Sequence, residues 1–220
     1  MFPAEGYSTR YEYSEAELAA IVEEAKARGT YVMAHVYTDE GVQRCLKAGV
    51  RSIEHGNFMS EETMLKLAED GAFFDPTFIS LVQRIETAAE MKLSAEIVDN
   101  LKRTIERGKL VYAWAKRYQV PTAFGTDLWG SEAQKSQSRE FELRSELDSA
   151  PDILRSATTI NAELLMNKGN LGTIARGAYA DLLVVDGDPL VDITILSDPQ
   201  QHLKLVMKGG VIYKNELSTV

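Results

Sequence analysis

Apolar positions fall at helical spacing from Ser14 onward. In SEAELAAIVEEAKARG, Leu18, Ile21, Val22 and Ala25 share one face, Ser14 and Glu17 form a capping-box pair, and Gly29 closes the run. This predicts a helix. TYVMAHVY follows, a β-rich run of the kind carried by a strand buried on both faces, with His35 and Tyr37 at its polar end. The unit then repeats: a helix over 39–48 stopped at Gly49, the strand VRSIEH, a helix over 60–69 stopped at Gly71, and the strand AFFDPTF. Such alternation predicts parallel strands joined by right-handed crossovers, in either an open doubly wound sheet or a (β/α) barrel.

The stretch 79–118 is helical in composition and predicts one extended or broken helix, leading into a fourth strand, VPTAFGTD. A polar loop, SEAQKSQSRE, passes into a helix over 141–147, and Pro151 suits the first turn of the next helix, DILRSATTINAELL. From Leu171 the pattern changes to short β-rich runs punctuated by Gly, Asp and Pro, with Gly209 and Gly210 as a hairpin turn between two apolar strands. The expected division is therefore an α/β part over 1–168 and a small β module over 169–220.

Composition narrows the function classes. The 220 residues are 45% hydrophobic and 26% charged, which is globular, and 24 basic against 33 acidic side chains give a net charge of -9. That balance disfavours nucleic acid or an anionic membrane as partner. No apolar run reaches the ~18–20 residues that span a bilayer, and MFPAEGYSTRYEYS lacks the basic start and apolar stretch of a secretory leader, so a cytoplasmic location is the default expectation. Cys45 is the single cysteine, which excludes an intrachain disulfide and a cysteine-based zinc site, and its helical setting reads as a buried packing residue.

The candidate chemistry sits at strand ends. His35, His55 and Asp127 each close an apolar strand at its carboxyl end, the edge where ligands bind in parallel α/β folds. Taken singly, either histidine could be a satisfied structural residue, and Asp127 could cap a following helix. Their shared position favours one rim carrying two imidazoles and a carboxylate, a ligand set for Zn²⁺ or a similar divalent ion with a coordination position left for water. A bound water of lowered pKa could attack a carbonyl while the carboxylate takes its proton. Tyr37, two residues beyond His35, points to the same side of an extended strand and could donate to a substrate oxygen, or simply pack. Asp75, Arg139 and Glu140 are weaker candidates for the same mouth, more consistent with structural or solvated roles, and His202 in the β module reads as a surface or packing histidine.

Taken in order, AHVYTDEGVQRCLKAGVRSIEHG, AFGTD, ILRSATTINAELL, GTIARGAYADLLVVDGDP and VMKGGVIY resemble the amidohydrolase superfamily, and most of all its imidazolonepropionase-related branch with the Xaa-Pro dipeptidases. The resemblance implies a (β/α)₈ barrel with a small β-sandwich domain, one or two divalent metal ions, zinc first among them, and hydrolysis of amide or cyclic amide bonds. It makes His35 and His55 the ligands ending the fifth and sixth barrel strands and Asp127 the strand-eight aspartate that contacts metal and shuttles the proton. It places Tyr37 where related dipeptidases hold the substrate carboxylate. Two family features have no counterpart: the first-strand HxH pair occurs nowhere in the chain, and the bridging lysine of the fourth strand has no position to occupy. The expectation is thus the C-terminal half of a barrel followed by part of a β-sandwich, acting on a small-molecule or dipeptide substrate. It would be a partial product of a longer protein, one half of a split enzyme, or an oligomer that completes the barrel. A catalytically inactive binding or scaffold subunit is the alternative from another class, and a non-metal α/β binding domain is a weaker third.

Overall fold

The computed structural model describes residues 12–217; of the stretch read above for a leader, 1–11 lie outside the described residues. Helix α1, Glu15–Ala27, begins where the sequence predicts: the Ser14 hydroxyl accepts from the Glu17 amide at 3.3 Å, and the Glu17 carboxylate accepts the Ser14 amide in return at 2.7 Å. Strand β1, Met33–Thr38, helix α2, Asp39–Ala48, strand β2, Ser52–Phe58, helix α3, Glu61–Glu69, and strand β3, Phe73–Asp75, follow in the predicted alternation. Thr38 caps α2, Ser60 caps α3, and Gly49 ends α2 in the left-handed region.

The three strands form a parallel sheet in the order β1-β2-β3, with His35 opposite Glu54 and Val36 opposite His55. One expectation is corrected here. β1 is not buried on both faces but alternates between exposed and half-buried up to Tyr37, because among the described residues it pairs on one side only; β2, paired on both sides, is the buried strand. The expected fourth strand is reduced to one parallel bridge, Phe74 to Thr122. Pro121 has no amide to offer a ladder, though its carbonyl accepts from Phe74, and the amide of Gly125 is diverted to the Asp75 carboxylate.

The long helical stretch is broken into α4, Phe78–Glu86, and α5, Ala95–Arg117, the second capped by Ser94. Val42, Ile53, Met64, Leu67, Phe74, Ile79 and Val111 are the buried centre of this unit. Gly108 lets α5 lie close to β2, since a Cβ there would stand 2.8 Å from Asn57 Nδ2 and 3.1 Å from Phe78. Cys45 is buried as expected, and burial raises its thiol pKa.

The chain divides into two compact units between Gly125 and Thr126. The second contains short helices α6, Gly130–Gln134, α7, Arg139–Ser145, and α8, Ala150–Arg155, the last with Pro151 in its first turn. A π-helical turn, Ser156–Ile160, carries α8 into α9, Asn161–Leu164, so the stretch predicted as one helix runs through with a single widened turn. Strands β4, Leu182–Val185, β5, Leu203–Lys208, and β6, Val211–Asn215, form an antiparallel sheet in that order, with Gly209 and Gly210 turning the predicted hairpin at positive φ. A 3₁₀ turn, Ile193–Ser197, and helix α10, Pro199–His202, lead into β5. The change of character at 168/169 lies within this second unit. The architecture is mixed α/β, one parallel and one antiparallel three-stranded sheet. Among the described residues no helix is long and apolar enough to cross a membrane.

Candidate metal centre

His35 and His55 come together because β1 and β2 pair in parallel with His55 one register position beyond His35. His55 Nε2 and His35 Nδ1 lie 2.7 Å apart, with the ring planes inclined by 77°. His55 is 4% exposed, whereas His35 belongs to the open edge strand. Tyr37 stacks on His55 with ring centroids 4.8 Å apart and planes within 7°, and meets His35 edge-on at 5.0 Å. The other nitrogen of His55, Nδ1, is 2.6 Å from the Thr77 hydroxyl oxygen. Burial, and after it the charge of His35, pushes the His55 pKa down to about 3, so the ring is neutral at physiological pH.

His55, neutral and held at its far nitrogen by a hydroxyl, and the adjoining His35 are the side chains here that could serve as ligands to a divalent cation. Among the described residues no group of three or more His, Cys, Asp or Glu side chains is assembled around one position that could hold a metal ion.

The structure thus joins His35, His55 and Tyr37 in the first unit, while Asp127 belongs to the second. Asp127 sits at φ +50° and its Oδ1 accepts from the indole N–H of Trp129 at 3.1 Å. It does not cap the helix that follows: α6 starts at Gly130 behind Trp129, with no side-chain cap. Of the weaker candidates, Glu140 is fully buried against Arg144, Arg139 opens α7, and the His202 ring donates from Nδ1 to the Asp186 carbonyl at 2.8 Å.

Asp75 has a more specific place. Buried at the end of β3, it accepts the Gly125 amide at Oδ1, 3.0 Å away, and its other oxygen occupies the space that a Cβ on residue 125 would need. The contact fixes the backbone two residues before Asp127. Gly125→Ala is therefore expected to destabilise the first unit by about 1–3 kcal/mol, read as a lower urea midpoint. Adding Asp75→Ala should return part of the loss, because the two positions compete for one space.

Sequence reasoning passes over Thr77 and gives Asp75 little weight. The expectation that the histidines close their strands is corrected: His35 lies inside β1 and His55 inside β2, because pairing continues past them to Thr38 and Phe58, whereas Asp75 does end β3 and Thr77 follows it across Pro76.

The chain belongs to the amidohydrolase family, which matches residues 5–213. It is similar to a crystal structure of a prolidase complexed with N-methylphosphonate-L-proline, at 38% identity and a TM-score of 0.87, over 97% of this chain and 51% of that one. It is also similar to a Xaa-Pro dipeptidase solved with methionine in its active site, at 33% identity and a TM-score of 0.80, over 92% of this chain and 49% of that one. Among curated proteins, ochratoxinase from Aspergillus niger is 27% identical over 205 residues, 92% of this chain and 42% of that protein. The chain therefore spans about half the length of the relatives it matches, and its solved neighbours include prolidase and Xaa-Pro dipeptidase-like amidohydrolases, the likeness expected from the motifs.

Proposed function

We propose that this chain supplies half of the active centre of a divalent-metal-dependent hydrolase of amide bonds, with dipeptides of the Xaa-Pro type as the substrate class. The observation that carries the reading is the pair of imidazoles meeting at 2.7 Å on adjacent parallel strands. His35 and His55 would hold the cation, with Asp127 as a further ligand. When bound, a divalent ion polarises the scissile carbonyl and lowers the pKa of water toward neutrality. Asp127 then takes the water proton and delivers it to the leaving amine. Tyr37, set against His55 by stacking, directs its phenol to a substrate carboxylate or carbonyl oxygen. The prolidase and dipeptidase likeness supports the substrate class.

The same reading makes the parallel sheet the C-terminal half of a (β/α)₈ barrel and β4–β6 part of a β-sandwich. Its support lies in exposed apolar surface: β1 is an edge strand with Met33 53% exposed, and Leu183, Val211, Ile212 and Tyr213 stand out of β4 and β6. A complementary polypeptide, covalently continuous or separate, would cover both.

The test is calorimetric titration of the chain with Zn²⁺, alongside hydrolysis of Xaa-Pro dipeptides by the chain together with its complementary half. His55→Ala should weaken Zn²⁺ binding by more than the roughly 10–100-fold that loss of an outer hydrogen-bond partner costs, and chelation should abolish hydrolysis. Full hydrolysis after exhaustive chelation would overturn the reading. Zn²⁺ binding without turnover by the completed protein would favour the binding-subunit alternative.

A further inference from the structure

We propose that Thr77 is a positioning residue for the candidate metal centre: its hydroxyl accepts the Nδ1–H of His55 and so leaves Nε2, the nitrogen 2.7 Å from His35 Nδ1, unprotonated, as a metal ligand must be. The proposal rests on the metal-site reading above for its purpose, but the geometry is independent of it.

Three features of Thr77 agree. First, it is the N-cap residue of α4, a position where threonine ordinarily accepts an amide hydrogen from the first turn, and here it makes no such side-chain cap. The hydroxyl is committed elsewhere, 2.6 Å from His55 Nδ1. Second, Thr77 lies at φ +47°, ψ +53°, in the left-handed region that a β-branched residue rarely enters. Such a conformation persists only where its surroundings fix it, and such residues gather at functional sites. Third, Thr77 is 3% exposed and its carbonyl accepts from the Ser80 hydroxyl at 3.0 Å, so the residue is held through its backbone as well as through its own hydroxyl contact. His55 is itself at φ +71°. Two residues in uncommon backbone conformations, His55 within β2 and Thr77 just beyond β3, are thus joined through one short hydrogen bond.

The chemical consequence concerns tautomers. A neutral histidine in water favours the proton on Nε2, which would block the nitrogen directed at His35. A hydroxyl accepting at Nδ1 inverts that preference and fixes the ring orientation, as outer hydrogen-bond partners of metal-bound histidines do.

The experiment is ¹⁵N–¹H correlation spectroscopy of the imidazole rings in the metal-free chain, with Zn²⁺ titration as the second readout, on the wild type, Thr77→Val and Thr77→Ser. Valine keeps the branched shape and removes the hydroxyl; serine keeps the hydroxyl. The wild type and Thr77→Ser should carry the His55 proton on Nδ1, and Thr77→Val should move it to Nε2 and weaken Zn²⁺ binding about 10–100-fold. A wild-type His55 protonated on Nε2, or a Thr77→Val spectrum unchanged from wild type, overturns the proposal. The wild-type spectrum decides even if Thr77→Val does not fold. If the wild type carries the proton on Nδ1 and loses it from there in Thr77→Val, yet binds no Zn²⁺, the tautomer assignment stands and the metal reading falls.

Discussion

Arg144→Ala should destabilise the second unit by about 3–5 kcal/mol, the cost of taking the cation away from a buried carboxylate. Arg144 and Glu140 stand one turn apart on α7 with both side chains fully buried, and Arg144 Nε donates to Glu140 Oε1 at 2.8 Å. The helix packs against the 3₁₀ turn Ile193–Ser197, whose Ile193 and Leu196 are buried. Alanine removes the guanidinium and opens a void, while Glu140 keeps a charge that the interior solvates poorly. Replacing both partners, as in Glu140→Leu with Arg144→Met, should cost less than the single change, because no charge is then stranded. Hydrogen exchange read over α7 and residues 193–197 separates the outcomes. Unchanged protection in Arg144→Ala would show that the pair holds nothing in place.

The second large effect is expected at Gly172. It sits at φ +67°, and a Cβ there would collide with the carbonyl oxygen of Thr158 and lie 2.5 Å from its carbon. These are backbone atoms of the π-helical turn, with no flexible side chain to yield. Gly172→Ala should therefore cost roughly 2–5 kcal/mol, adding overpacking to the strain of a left-handed alanine. Gly169, at φ +84° with no atom within 4 Å of where a Cβ would stand, supplies the control. Gly169→Ala should cost only the conformational part, about 1–2 kcal/mol, so the two urea midpoints should differ clearly. Equal losses would mean that the approach to Thr158 has no energetic weight.

Local signals carry much of the fold because the interactions they encode are local. The Ser14–Glu17 capping box, the Thr38 and Ser60 caps and the Gly49 stop act within one turn of the residues that spell them, so the helix starts fall where the pattern places them. The hairpin at Gly209 and Gly210 is legible for the same reason. Burial is less so. The apolar run of β1 resembles that of a central strand, and only the pairing order shows that it lies at the edge of its sheet. The fourth strand fails as a ladder because Pro121 and Gly125 withhold their amides, one by chemistry and one by a bond to Asp75, a residue fifty positions earlier.

By itself the sequence determined the alternation of helix and strand, the two kinds of sheet, the family and the placement of His35 and His55 on successive strands, since each follows from periodicity, caps or an ordered motif set; that the two residues lie inside those strands and not at their ends is visible only in the structure. Tertiary structure alone decided which strand is central, that the imidazoles meet at 2.7 Å, that Tyr37 stacks on one of them and that Thr77 holds the far nitrogen of the same ring. Those facts depend on register between strands and on contacts between residues about twenty positions apart, which no local pattern encodes.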